Sequence, residues 1–209
     1  MVFMNNDSDK INKIIFDLDG VIRIYKEQDT TDIEIKYGLE EGIINKFAFR
    51  ADLLKKVTTG KLKRSEWVDI IGKYINNMDA AIDWENRPVY IDNNVISIVK
   101  ELKSKEMEVY LLTNGTDNLN TELSMLGINN EFKFIFNSTE IGVAKPSIQI
   151  FNFVLDYCNE LPTNFGYIDD NIENIETARS LGINSFLYQG VNCLREWLIN
   201  NKIQINQGL

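Results

Sequence analysis

The segment KIIFDLDGVI, residues 13–22, is an apolar run that ends in two aspartates, Asp17 and Asp19, with Gly20 directly behind them. The apolar residues indicate a buried strand, whereas acidic residues are poor strand formers. A carboxylate that is buried without partners is strongly unfavourable. The two aspartates therefore either form a turn at the end of the strand or bind something positive.

Four more apolar runs indicate buried strands, namely EVYLLTN (108–114), FKFIFN (132–137), FGYID (165–169) and NSFLYQ (184–189). Between the later runs, apolar residues recur at helical spacing, for example Leu119, Leu123 and Leu126. Strands that alternate with helices of this length are typical of a parallel α/β sheet with helices on its faces.

The stretch from residue 23 to about residue 90 has a different pattern. It contains no convincing strand, and segments such as SEWVDIIGKYI (65–75) have helical periodicity. We therefore predict a core made of residues 1–22 and 91–209, and a mostly helical insert made of residues 23–90.

Composition and charge exclude several classes of partner. The chain has 209 residues and a formal net charge of −9 without a long basic run, which argues against binding to nucleic acid or to an anionic membrane. No window approaches 18 consecutive apolar residues, and the first 13 residues lack the apolar core of a signal peptide. Two distant cysteines, Cys158 and Cys193, favour a reduced cytoplasmic protein. The sequence leaves the oligomeric state open.

The chain contains no histidine. This excludes Ser-His-Asp and Cys-His catalysis, histidine-ligated metal sites and phosphohistidine transfer. No two glycines have the GxG spacing of a dinucleotide-binding loop, and Gly60-Lys61 lacks the remaining residues of a P-loop. If the protein is an enzyme, carboxylates, lysine, hydroxyl groups and a metal with oxygen ligands must do the chemistry.

Polar residues follow the apolar runs at the point where each predicted strand ends. Parallel strands place their carboxyl ends at one edge of the sheet, which is where ligands bind in such folds. The residues that the chain delivers to this edge are Asp17, Asp19, Thr113, Asn114, Lys145, Asp169 and Asp170. Each residue alone has an ordinary explanation as part of a turn, a helix cap or a surface charge. An EF-hand calcium loop does not fit the segment around Asp17, because Gly20 is at the wrong position of such a loop. Their occurrence together indicates a site.

The chemistry of these side chains predicts phosphoryl transfer. Clustered carboxylates repel one another unless a cation lies between them, and an all-oxygen ligand set suits Mg²⁺. A Mg²⁺ site with a lysine beside it is typical of a phosphoryl site. One carboxylate can attack phosphorus and form an aspartyl-phosphate, and a second can act as general acid and base.

Four motifs in order, FDLDGVI, LLTNGT, KP and IDDN, resemble those of the haloacid dehalogenase-like hydrolase superfamily, in the subclass that inserts its cap after the first motif. The resemblance implies a Rossmann-like core below a helical cap. It implies that Asp17 is the nucleophile and a metal ligand. It also implies that Asp19 is the general acid and base and that its backbone carbonyl binds the metal.

The remaining roles follow from the same resemblance. Thr113 and the backbone of Asn114 would hold the phosphate, and Lys145 would stabilise the charge of the nucleophile and the phosphoryl group. Asp170, supported by Asp169, would complete the Mg²⁺ site.

The presence of Asp19 separates the branches of this superfamily. Its dehalogenases lack the second aspartate because a halide leaving group needs no proton. We therefore predict a Mg²⁺-dependent phosphatase that acts on a small, sugar phosphate-like metabolite through an aspartyl-phosphate. A beta-phosphoglucomutase-like phosphomutase and a non-catalytic, partner-binding relative stay open as alternatives. A phosphonate hydrolase would need a cap lysine, and the candidates are Lys55, Lys56, Lys61 and Lys63.

Overall fold

The computed structural model describes residues 10–206, in which strands and helices alternate as the sequence predicts. The first part of the chain contains β1 Lys13–Phe16, β2 Arg23–Ile24, α1 Glu27–Lys36, α2 Ile43–Ala48, α3 Ala51–Thr58, α4 Arg64–Tyr74, α5 Met78–Glu85 and β3 Tyr90–Ile91. The second part contains α6 Asn93–Ser104, β4 Glu108–Thr113, α7 Leu119–Met125, β5 Phe134–Asn137, α8 Ser138–Ile141, α9 Ile148–Cys158, β6 Phe165–Asp169, α10 Ile172–Ser180, β7 Asn184–Leu187 and α11 Val191–Asn200.

Five strands form a parallel sheet in the order β5-β4-β1-β6-β7. The central strand β1 pairs with β4 on one side and with β6 on the other, so that Ile14 lies between Val109 and Gly166. All five strands coincide with the predicted apolar runs. Because β1 ends at Phe16, Asp17 is the first residue beyond the sheet.

Helices cover both faces of the sheet, as the alternation of side chains along β1 requires. Ile14 and Phe16 face a core that includes buried residues of α6, α7 and α11. Ile15 faces a second core with buried residues of α9 and α10. A strand that is apolar on both faces is typical of a parallel sheet buried between helices, and the predicted α/β fold class is confirmed.

Helices α1 to α5 form a separate bundle, which we call the helical insert. Its buried core contains Ile44, Val57, Ile71 and two tryptophans, Trp67 and Trp84. The two indole rings pack edge to face with centroids 5.2 Å apart, a preferred arrangement of aromatic pairs. The insert therefore has a hydrophobic core of its own. Its assignment as a cap, with boundaries at residues 22 and 91, stays a prediction.

A small antiparallel sheet joins β2 to β3, which the sequence pattern did not predict. It pairs Arg23 with Ile91, so that the chain leaves and re-enters the core side by side. Each strand has only two residues, which is too short for a recognisable periodicity.

Across residues 10–206 no helix has the length and apolar character needed to cross a membrane. Most of the N-terminal segment for which we predicted no signal peptide, residues 1–9, lies outside the described residues.

Candidate active site

Asp17 lies at the centre of the sheet edge, directly after β1. Its backbone N–H donates to the carbonyl oxygen of Ile168 at 2.8 Å, which continues the pairing with β6 by one residue. The side chain is almost completely buried, and its Oδ1 atom accepts a 2.6 Å hydrogen bond from the N–H of Leu18. The predicted nucleophile is therefore held rigidly by the strand that precedes it.

Lys145 lies between two carboxylates. Its Nζ atom is 2.8 Å from Oδ1 of Asp17 and 2.7 Å from Oδ2 of Asp169, and the side chain is buried. Burial disfavours the ammonium, but the two carboxylates outweigh this effect and raise the pKa of Lys145. The lysine predicted from the KP motif is thus a fixed positive charge beside the predicted nucleophile.

The side-chain amide of Asn114 holds the backbone of Lys145 in place. Its Nδ2 atom donates to the Lys145 carbonyl oxygen at 2.9 Å, and its Oδ1 atom accepts from the Lys145 N–H at 2.8 Å. This pair of hydrogen bonds joins the loop after β4 to the loop after α8. The preceding residue, Thr113, is buried at the end of β4.

Asp169 is the most heavily bonded acid of the site. Its oxygens accept hydrogen bonds from the Tyr167 hydroxyl, from the N–H of Asn171 at 2.8 Å and from Nδ2 of Asn174 at 3.0 Å. Burial opposes ionisation, yet the Lys145 ammonium and these donors hold the pKa of Asp169 below its ordinary value. Asp169 is therefore a buried, ionised carboxylate with several partners.

Three carboxylates, Asp17, Asp169 and Asp170, bring their oxygens within 4.8 Å of one another. Gly20 has a φ angle of +80°, and a Cβ atom on it would lie 1.9 Å from Oδ2 of Asp170. The backbone at Gly20 thus leaves room for this carboxylate only because it has no side chain. The donor set is all oxygen, which fits Mg²⁺.

The pKa values of these carboxylates also indicate a site for a cation. Burial raises the pKa of Asp17 to about 8, against the opposing effect of Lys145. Burial likewise raises the pKa of Asp170, and the charge of Asp169 adds to the effect. A divalent cation between these oxygens would favour the ionised carboxylates.

Asp19, the predicted general acid and base, does not contact Lys145 but forms a two-pronged ion pair with Arg23. The Nε–Oδ1 and Nη2–Oδ2 distances are 2.6 Å and 2.9 Å. Arg23 also contacts Glu122 of α7, which in turn contacts Arg64 at the start of α4. A chain of ion pairs therefore links the predicted acid to the helical insert.

A cavity of about 900 Å³ lies between the sheet edge and the helical insert. Asn114 and Lys145 line its core side, and Phe49, Trp67 and Trp84 line the side of the insert. Its volume is within the range of sites for small molecules.

The structure thus gathers Asp17, Lys145, Asp169 and Asp170 into one cluster, with Thr113 at the end of β4 and Asn114 and Asp19 on the adjoining loops. Five residues that support this cluster or line the cavity were not predicted from the sequence, namely Arg23, Arg87, Glu122, Tyr167 and Asn174. Of these, only Asn174 has a local sequence signal, because it lies in the first turn of α10, which begins directly after the IDDN motif.

The model of one protein family, haloacid dehalogenase-like hydrolase, matches residues 11–182. The match includes most of the chain, and the chain belongs to this family. The predicted family and the predicted hydrolase class are confirmed.

Individual relatives are more distant. A D-ribitol-5-phosphate phosphatase from Bacteroides thetaiotaomicron is 24% identical over 189 residues, which cover 84% of this chain and 91% of that protein. The bifunctional epoxide hydrolase 2 of Sus scrofa is 27% identical, but the match covers 87% of this chain and only 37% of that longer protein.

A HAD family enzyme from Bacteroides thetaiotaomicron, whose crystal structure is a complex with magnesium and inorganic phosphate, has a similar fold. The TM-score is 0.70 at 23% identity, over 84% of this chain and 93% of that one. The family match and the named Bacteroides phosphatase agree with the predicted phosphatase chemistry, and the magnesium and phosphate in this HAD family structure agree with the predicted cofactor.

Proposed function

We propose that this protein is a Mg²⁺-dependent phosphatase that hydrolyses a small sugar phosphate or polyol phosphate through an aspartyl-phosphate on Asp17. The observation that carries the proposal is the position of Asp17, which is buried, contacts Lys145, and has an oxygen within 4.8 Å of oxygens of Asp169 and Asp170. Lys145 and Asn114 in turn line the cavity of about 900 Å³. The carboxylate that would attack phosphorus therefore has a positive charge beside it.

The chain's own residues divide the chemistry among them. Asp17 attacks phosphorus while Thr113 and the Asn114 backbone bind the phosphoryl oxygens, and Lys145 offsets the negative charge that gathers there. When bound, Mg²⁺ would supply further positive charge to the phosphate oxygens. Asp17 and Asp170 would hold it, and Asp169, whose oxygens already accept several hydrogen bonds, would support them.

Asp19 would protonate the leaving oxygen and later deprotonate the attacking water. Its side chain is 45% exposed, whereas that of Arg23 is 7% exposed, so that Asp19 is the more accessible partner of the pair. The roles of acid and base require Asp19 to exchange Arg23 for the substrate during the reaction.

The position of the cavity between the sheet edge and the helical insert favours a small substrate. A site roofed by the helical insert excludes water during transfer and cannot easily accept a folded phosphoprotein. The Bacteroides relative, which is named for D-ribitol 5-phosphate, supports a polyol or sugar phosphate as substrate. A cytoplasmic location stays part of the proposal, and it rests on the two free cysteines.

The test is release of inorganic phosphate from a set of pentose, hexose and polyol phosphates in the presence of Mg²⁺. We expect stoichiometric phosphate, whereas a phosphomutase would give an isomerised sugar phosphate without phosphate. Asp17→Asn should abolish turnover, and Asp19→Asn should slow it by roughly 10²–10⁴-fold while leaving the fold intact. Turnover at the wild-type rate in Asp17→Asn would refute the assignment of the nucleophile.

A further inference from the structure

Arg87 lies between α5 and β3 and lines the cavity on the side of the helical insert. The centre of its guanidinium is 4.4 Å from the ring centroid of Tyr25 and 4.3 Å from that of Trp84. Its Nη1 atom donates to the Trp84 carbonyl oxygen at 2.6 Å. The two aromatic rings and the carbonyl oxygen hold the guanidinium in one position.

The contacts of Arg87 leave most of its donors for a ligand. A guanidinium has five N–H donors in its plane, and aromatic rings contact its faces rather than these donors. Within residues 10–206, the guanidinium of Arg87 donates one hydrogen bond, to the carbonyl oxygen of Trp84. The remaining N–H groups are therefore available at a fixed place in the cavity wall.

Arg87 also differs from the other two arginines of the cavity in its charge balance. Arg23 and Arg64 each contact two carboxylates. In the part of the chain that the structure describes, Arg87 has no carboxylate oxygen within 4.0 Å. Burial lowers the pKa of Arg87 and the charge of Arg64 adds to this effect, although Tyr25, Glu85 and Asp19 oppose it. A partly buried cation of this kind gains from an anionic partner.

Two lysines add to the same charge. Lys55 and Lys61 line the cavity and, among the described residues, form no ion pair. Among the carboxylates that line the cavity, Glu173 on the core side is the one for which the described residues provide no ion pair. The wall contributed by the insert is therefore positive, although the chain as a whole has a net charge of −9.

We propose that Arg87 binds a second anionic group of the substrate, a carboxylate or a second phosphate at the end remote from the phosphate that is transferred. The inference rests on the proposed function, which places the first phosphate at Asn114 and Lys145, and both of these residues line the same cavity as Arg87. An arginine with free in-plane donors suits the planar carboxylate or the phosphate oxygens, whereas an uncharged polyol end would leave Arg87 without an anionic partner. The inference therefore narrows the proposed substrate to a sugar or polyol phosphate that carries a second anionic group.

Binding can be tested separately from turnover. Calorimetric titration of the Asp17→Asn protein with Mg²⁺ present would compare three ligands: ribitol 5-phosphate, the five-carbon aldonic acid 5-phosphate and a pentulose 1,5-bisphosphate. We expect the acid or the bisphosphate to bind roughly 10- to 100-fold more tightly than the polyol phosphate, the range for hydrogen bonds to a charged group. Whichever ligand binds more tightly identifies the second group as a carboxylate or a phosphate.

Variants of the same protein assign this preference to Arg87. Arg87→Gln should remove the preference, and Arg87→Lys should keep part of it because the charge stays. Arg50→Gln is the matched control, since Arg50 is an exposed arginine of the helical insert that pairs with Asp52 and does not line the cavity. It should leave the preference unchanged.

The outcomes separate the two proposals. Equal affinities for all three ligands, or a preference that survives in Arg87→Gln, would overturn the role of Arg87. A preference that is lost in Arg87→Gln supports this role whether or not the wild-type protein releases phosphate. Failure to release phosphate from any ester would overturn only the proposed phosphatase.

Discussion

Replacement of Lys145 by methionine should impair both stability and turnover. The Lys145 side chain is 1% exposed, and its Nζ atom contacts Asp17 at 2.8 Å and Asp169 at 2.7 Å. Methionine fills a similar volume but has no charge, so that two buried carboxylates lose their common cation. Breaking a buried ion pair from one side destabilises a protein by about 3–5 kcal/mol. For a chain of this size, this corresponds to a fall in Tm of roughly 6–20 °C.

The two carboxylates should respond differently to the substitution. Asp169 keeps the hydrogen bonds from Tyr167, Asn171 and Asn174, whereas Asp17 keeps only the one from Leu18 among its described donors. Without Lys145, burial would favour the protonated form of Asp17 even more than it does already. A protonated carboxyl group is a poor nucleophile. Together with the lost stabilisation of phosphoryl charge, we expect kcat/KM to fall by at least roughly 10²–10³-fold.

The assays are thermal unfolding and hydrolysis of p-nitrophenyl phosphate with Mg²⁺ at a temperature below the Tm of each variant. Lys56→Met is the matched control because Lys56 is exposed on α3 and does not line the cavity, and it should change neither quantity. The double variant Lys145→Met with Asp169→Asn should recover part of the lost Tm but none of the turnover. Turnover of Lys145→Met within twofold of the wild type would refute the reasoning.

Two further predictions concern the metal and the backbone around it. Treatment with EDTA should abolish phosphate release, and Mg²⁺ should restore it and raise the Tm. Ca²⁺ should inhibit phosphate release because it prefers six to eight ligands in a looser geometry. Full turnover in EDTA would contradict the metal site. Gly20→Ala should lower stability by about 1–2 kcal/mol because φ is +80°, and should also weaken Mg²⁺ binding because the new Cβ atom meets Asp170. Gly42 has the same φ angle, and nothing lies within 4 Å of a Cβ atom placed on it. Gly42→Ala should therefore lower stability without changing Mg²⁺ affinity. Equal Mg²⁺ affinity in the two variants would argue against the steric role of Gly20.

The sequence alone determined the sheet and the edge at which the candidate site lies. The five parallel strands could be predicted because each is an apolar run bounded by polar residues, and a strand buried on both faces needs such a run. The grouping of Asp17 and Asp169 followed because the carboxyl ends of parallel strands lie on one side of the sheet. Lys145 lies farther along the chain, in the loop after α8, and the KP motif predicted its place beside them. The four motifs in their order gave the family, which the match over residues 11–182 confirmed.

Only the tertiary structure decided which charges are paired. The partner of Asp19 is four residues away in Arg23, but Arg23 also contacts Glu122, which is 99 residues away in the sequence. Arg87 has no described carboxylate partner, whereas Asp19 and Glu85, whose charges also act on it, are paired with Arg23 and Arg64. Local periodicity reports which face of a strand or helix is buried, whereas ion pairs depend on how the helical insert packs on the core. The pairing of charges in the cavity therefore follows from contacts between distant segments, which no local pattern in the sequence specifies.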